Sequence, residues 1–218
     1  MTHDIPLEVL YKKLRNHFGF LDWWPGETPT EIFVGAILTQ RNSWKNVEKA
    51  IKNMKKNNAL SIRYISSCNE QVLAKIIKTV GFSSQKSRYL KQIFIDILTN
   101  YGSLENLFAL KKEALRKKLL SMKGIGNETA DSIILYAAGK RKFVIDAYTK
   151  RIMHRVYGID ENIKYEKLQD YFENNIKKDL RLYKDFHAQF VELGKNYCKT
   201  RPLCSACPLN LVCRKIGL

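Results

Sequence analysis

The stretch from Leu119 to Tyr157, LLSMKGIGNETADSIILYAAGKRKFVIDAYTKRIMHRVY, limits the fold of this chain more than any other. Lys111 to Met122 has helical spacing, with Leu115, Leu119 and Leu120 on one side and Lys or Arg on the other. Gly124 and Gly126 break that pattern, and a second periodic run begins at Asn127 with Ala130, Ile133, Ile134 and Ala137 facing inward. A Gly-Ile-Gly link lets the backbone turn tightly and leaves the first amides of the second helix without intrahelical partners. Such amides suit a phosphate, because the helix dipole adds partial positive charge at the same point. Lys123 beside the turn strengthens that reading, although a helical corner packed in a core would show the same two glycines.

The continuation adds a carboxylate. Phe143-Val144-Ile145 is a short apolar run ending in Asp146, and Tyr148, Ile152, Met153 and Val156 follow at helical spacing. Asp146 therefore starts a helix, where an N-cap role alone accounts for an aspartate. Charge points to a partner: 38 Lys and Arg against 21 Asp and Glu give +17, spread along all 218 residues. A polyanion is the natural partner for such a chain, with a merely soluble basic protein as the plainer account. A hydrophobic content of 45% supports a folded core. No run approaches the length of a membrane span and no signal-peptide core is visible, so the expected location is inside a cell, in the cytoplasm, with nucleoid association in a prokaryote.

In order, the chain reads as almost all helix. Leu7 to Phe18 is amphipathic, and Asp22-Trp23-Trp24-Pro25-Gly26 forms a loop in which one tryptophan could line a pocket. Thr30 to Gln40 is a strongly apolar helix with Thr30 as its expected cap. Lys45 to Lys56, Asn69 to Val80, Ser87 to Tyr101, Ser103 to Leu110, Tyr165 to Ile176 and Tyr183 to Tyr197 complete the expected set. At the C-terminal end, Cys198-x5-Cys204-x2-Cys207-x5-Cys213 gathers four of the five cysteines. In a reduced compartment that pattern favours metal over disulfides, and spacing alone leaves zinc and an iron-sulfur cluster open. Cys68 reads as an ordinary thiol.

The glycine hairpin followed twenty residues later by Asp146 resembles the helix-hairpin-helix DNA glycosylases of the endonuclease III superfamily. The resemblance implies an all-α, two-lobed fold with a central helical domain over residues 21–138. Residues 1–20 and 139–218 would form the second lobe, with the base pocket between the two. It implies that Gly124, Ile125 and Gly126 clamp the backbone of double-stranded DNA, that Asp146 is the catalytic carboxylate, and that Gln40 fills the gap left by a flipped nucleotide. Phe82 would be a wedge in the opposite strand and Lys86 would meet a phosphate. Trp23-Trp24-Pro25 with Leu38-Thr39-Gln40 and an aromatic at Trp44 looks like the 3-methyladenine DNA glycosylase III branch, where these residues build the base pocket. Stacked aromatics suit a cationic alkylated purine.

Many members of the superfamily end in Cys-x6-Cys-x2-Cys-x5-Cys holding a 4Fe-4S cluster. This chain is one residue short in the first interval, which keeps zinc as the alternative. Bifunctional members carry a lysine where this chain has Glu128, and a carboxylate cannot form the Schiff base. The resemblance therefore implies a monomeric, monofunctional N-glycosylase that removes alkylated purines such as 3-methyladenine and leaves an abasic site. A glycosylase for thymine or uracil opposite guanine and a non-catalytic damage-binding protein are the alternatives.

Overall fold

A computed structural model describes residues 5–21 and 23–218. Among the described residues all regular structure is helical, and no helix is long and apolar enough to cross a membrane. The helices are α1 (Leu7–Phe18), α2 (Pro29–Leu38), α3 (Trp44–Lys56), α4 (Ile62–Ser67), α5 (Glu70–Ile76) and α6 (Ser83–Tyr101). They continue with α7 (Leu104–Ala109), α8 (Lys112–Ser121), α9 (Asn127–Ser132), α10 (Ala147–Tyr157), α11 (Tyr165–Asn175) and α12 (Leu180–Asn196). A π-helical turn, Ile133–Ala137, prolongs α9. Contacts divide the chain into two compact units, Pro25–Lys140 and Met1–Trp24 with Arg141–Leu218.

Within Pro25–Lys140, α2 is the central element, buried along most of its length from Glu31 to Leu38. It starts at Pro29 rather than Thr30 because Thr28 is the cap, accepting the Glu31 amide at 3.1 Å, while Glu31 Oε2 accepts the Glu27 amide at 3.2 Å. A proline with its fixed φ suits the first helical position, so the sequence TPTE begins the helix two residues after Thr28's neighbour Glu27. Phe33 packs on Phe94 of α6 with ring centroids 5.4 Å apart. The helix expected from Ser87 starts at Ser83, directly after Phe82, and the short α4 was not anticipated.

The unit made from both ends of the chain has an aromatic core. Phe143 stacks on Phe172 at 4.2 Å, and Phe186 stacks on Phe190 at 5.1 Å with Phe172 edge-on to both. Helix α1 is clasped to α12 by a buried carboxylate. Asp185 Oδ2 accepts from the Tyr11 hydroxyl at 2.6 Å and from Arg15 at 3.0 Å, and its Oδ1 accepts from the Leu21 amide at 2.8 Å.

Candidate active site and nucleic-acid interface

Asp146 is delivered by an extended, buried segment whose backbone would be orphaned without help. Side chains of α11 supply it: Glu173 accepts the Phe143 amide at 2.8 Å, Gln169 donates to the Phe143 carbonyl, and the Tyr165 hydroxyl accepts the Ile145 amide at 3.2 Å. Asp146 then caps α10. Its Oδ1 accepts from the amide of Thr149 at 2.7 Å and from the Thr149 hydroxyl at 2.8 Å. Its Oδ2 lies 3.6 Å from Nε2 of His187, a buried residue of α12. Close approach of the two helices requires Gly194, because a Cβ there would run into the Tyr148 ring. Burial pushes the Asp146 carboxyl upward, but the His187 ring and the Thr149 amide and hydroxyl outweigh it and hold the group below its ordinary value. The charged form is thus favoured although the side chain is only 11% exposed.

The tryptophans lie close to this carboxylate's partner. Trp23 stacks on His187 with centroids 6.0 Å apart, Trp24 sits 5.9 Å from Trp23, and the Lys195 ammonium lies 5.0 Å from the centre of the Trp23 ring. Asp22, expected in the same loop, lies outside the described residues. Pro25 is exposed, and Trp44 is a half-buried residue at the start of α3 whose indole donates to Glu48 at 3.0 Å.

In the other unit, α8 and α9 form the hairpin around Gly124 and Gly126. Gly124 has φ +92°, and a Cβ there would collide with the Tyr89 ring, so the position requires glycine twice over. Gly126 caps α9 and is exposed, with open space where a Cβ would stand. Ile125 is buried and its amide donates to the Met122 carbonyl at 3.1 Å, closing the turn, while Lys123 is exposed. Arg116 binds the hairpin together, donating to Asp131 at 2.8 Å and to Asn127 at 2.9 Å. A cavity of about 370 Å³ opens here, lined by Thr39, Gln40, Arg41, Gly124, Gly126, Asn127, Glu128 and Thr129. Gln40 points at the hairpin, its amide donating to the Gly124 carbonyl at 2.9 Å and to the Thr129 hydroxyl at 3.0 Å.

Two residues expected on DNA differ from each other. Phe82 is 63% exposed and holds φ +58°, an unusual state for a bulky residue just ahead of α6. Lys86, expected on a phosphate, is instead 4% exposed, its ammonium donating to the carbonyls of Leu38 at 2.6 Å and Gln40 at 2.8 Å. The end of α2 carries unpaired carbonyls and negative dipole, which draw the charge inward. Burial lowers this lysine to about 8.

At the C-terminal end, Cys198, Cys204, Cys207 and Cys213 all line one small cavity, together with Arg155 and Tyr197. Arg155 donates to the Cys198 sulfur at 3.4 Å and to the Lys199 carbonyl at 2.6 Å, drawing the short first loop against α10. Burial raises the Cys207 and Cys213 thiols, and the neighbouring cysteines add to it. Among the described residues, no group of three or more His, Cys, Asp or Glu is placed to hold a metal ion.

His187 and Thr149 were not found by sequence reasoning. Thr149 had a signal, three residues after a capping aspartate; His187 had none, since it sits at core spacing on an apolar helix.

The chain is 44% identical to a putative DNA repair glycosylase of Methanocaldococcus jannaschii over 94% of each chain. It is 24% identical to a thymine-DNA glycosylase of Aeropyrum pernix, covering 88% of this chain and 85% of that one. Among solved structures, the 3-methyladenine DNA glycosylase of Helicobacter pylori bound to 1,N6-ethenoadenine matches with a TM-score of 0.78 at 27% identity, covering 88% and 98% of the two chains. An endonuclease III–DNA complex matches in fold with a TM-score of 0.82 at 18% identity, covering 96% and 94%. The HhH-GPD family matches residues 34–178, and the chain belongs to this superfamily of base excision DNA repair proteins.

Proposed function

We propose that this protein is a monofunctional DNA N-glycosylase that flips an alkylated purine such as 3-methyladenine out of duplex DNA and leaves an abasic site. The observation that carries the reading is the Asp146 carboxylate, its side chain 11% exposed and held below its ordinary value by His187 and Thr149. As the base departs, its sugar becomes oxocarbenium-like, and a fixed negative charge in a water-poor site stabilises it. Asp146 Oδ2, not needed for the helix cap, is free of Thr149 and would face the sugar or take the proton of the attacking water. Trp23 and Trp24 offer aromatic faces to the base. The backbone at Gly124 to Gly126 with Lys123 would hold a phosphate, while Gln40 and Phe82 enter the duplex. Glu128 stands where a lyase needs an amine, so the strand would be left uncut.

The four cysteines would hold a 4Fe-4S cluster, whose ligands sit at the corners of a bulky core rather than about 2.3 Å from one zinc ion. A bound cluster would cross-link the C-terminal loop.

One observation favours a second reading, removal of thymine or uracil opposite guanine. Lys195 places a cation beside Trp23, which repels a positively charged base and leaves a neutral pyrimidine unaffected. Base release measured by mass spectrometry from duplexes carrying methylated purines, uracil or thymine opposite guanine separates the two. Release of 3-methyladenine that disappears in Asp146→Asn, with strand breaks only after alkali, supports the first. Release confined to the mismatched pyrimidine replaces it with the second, and tight binding without release of any base removes both.

A further inference from the structure

The loops that carry Gln40 and Phe82 do not hold themselves. Arg41 at φ +54° and Phe82 at φ +58° both occupy left-handed backbone, which non-glycine residues keep only when their surroundings impose it. What surrounds them is a small polar network. The Lys86 ammonium, on the first turn of α6 four residues after Phe82, donates to the carbonyls of Leu38 and Gln40. Asn42 Nδ2 donates to the same Gln40 carbonyl at 2.9 Å, and its Oδ1 accepts the amide of Gly81, next to Phe82, at 2.7 Å. Two independent ties therefore link the Gln40 loop to the Phe82 loop. The Gln40 side chain adds a third, to the hairpin at Gly124 and Thr129.

A lysine is an expensive residue to bury, and an aliphatic side chain would fill the same space without the desolvation. What an aliphatic chain lacks is the ability to fix two carbonyls on the far loop with one charged group.

We propose that Lys86, together with Asn42, is the positioning element that presents Gln40 and Phe82 to the duplex as one rigid pair. Extrusion of the nucleotide and entry of the phenyl ring then occur as a single event. The inference rests on the proposed base-flipping reading. Without the brace, the backbone would still be gripped by the hairpin, but the gap-filling residue and the wedge would no longer arrive in register.

The test uses the full-length protein and a duplex with 2-aminopurine beside the target nucleotide, whose fluorescence rises on unstacking, with affinity followed separately by anisotropy. Lys86→Met is expected to keep duplex affinity within about twofold and to lower the extruded fraction about tenfold, the weight of one hydrogen bond to a charged group. Lys86→Arg, which keeps a charged donor, should recover most of the signal, and Asn42→Ala should lose it in part. An unchanged fluorescence amplitude in Lys86→Met overturns the proposal. So does a parallel loss of affinity and amplitude, which marks a purely structural role, and so does a wild type that binds without any rise. Base release is measured on the same duplex, so a wild type that extrudes but does not excise ends the glycosylase reading and leaves this one standing.

Discussion

The carboxylate of Asp146 divides its work between two neighbours: Oδ1 takes the amide and hydroxyl of Thr149, and Oδ2 lies 3.6 Å from the Nε2 of His187. A helix cap and a reactive carboxylate are usually alternative explanations of one aspartate; here Oδ1 serves the cap, and Oδ2 is the oxygen left for the proposed chemistry.

That division makes the Asp146→Asn variant informative. Asparagine caps helices about as well as aspartate, so the variant should still fold and melt cooperatively, lower than the wild type only by the stability its missing charge contributes. Base release should fall about 100- to 1,000-fold, the scale seen when one electrostatic stabiliser is removed from a transition state. Single-turnover release rates and a melting curve on the same preparation decide it. Loss of fold together with loss of rate would mean that Asp146 is a structural cap and no more.

The same carboxyl predicts a pH dependence of stability. Its folded-state value is depressed, because His187 and Thr149 outweigh burial. A depressed acid contributes stability that is present in full above its unfolded value and is lost as pH falls through the folded one. The stability gap between wild type and Asp146→Asn should therefore hold from neutrality down to about pH 4 and close below that. Urea unfolding at a series of pH values reads the gap. A gap that widens in acid would show that the group is not held charged.

The two hairpin glycines should behave differently. Gly124→Ala meets both the Tyr89 ring and a backbone at φ +92°, and should destabilise by about 2 kcal/mol or more. Gly126→Ala has extended backbone and open space, so the fold should be kept while a methyl group enters the approach to the helix start and weakens duplex binding. Denaturant midpoints and anisotropy titrations of both variants check the pair. Equal destabilisation by both would mean that the turn is not built as described.

Much of this was legible in the sequence because it follows from local chemistry. The run of apolar residues at helical spacing, the glycines of the turn and the aspartate before Ala147 each impose their structure within a few residues. Lys86 shows where that legibility ends. A lysine in a polar stretch reads as a surface charge, and its burial depends on the carbonyls of Leu38 and Gln40, more than forty residues away in sequence. His187 was hidden for the same reason, since its partners Asp146 and Trp23 belong to distant segments. The start of α6 was missed because Phe82 takes a left-handed conformation that nothing in a phenylalanine announces.

Glu128 offers a gain-of-function test of the strand-sparing chemistry. It lies in the first turn of α9 and lines the cavity shared with Gln40 and the two glycines. Glu128→Lys places an amine where the resembling bifunctional enzymes carry theirs, and should yield a covalent protein–DNA adduct on borohydride reduction and strand cleavage without alkali. The wild type should give neither. A wild type that is itself trapped by borohydride would refute the monofunctional reading, and Lys123 would then be the amine to replace first.

The cysteine-lined cavity makes a prediction that does not depend on activity. Cys198, Cys204, Cys207 and Cys213 line one cavity although the first interval is a residue shorter than in the resembling enzymes, and Arg155 gathers the shortened loop by donating to the Cys198 sulfur and to the Lys199 and Thr200 carbonyls. Protein purified without oxygen should therefore be brown, with a broad visible absorbance that acid abolishes and about four irons per chain, the content of one such cluster. Cys204→Ser should lose most of that absorbance. Arg155→Lys keeps the charge and loses the fork that reaches sulfur and carbonyls together, so it should lose iron faster on exposure to air while its helical circular dichroism stays the same. A colourless protein holding one zinc per chain would replace the cluster with a single tetrahedral ion and would require the four thiols to close in on one point.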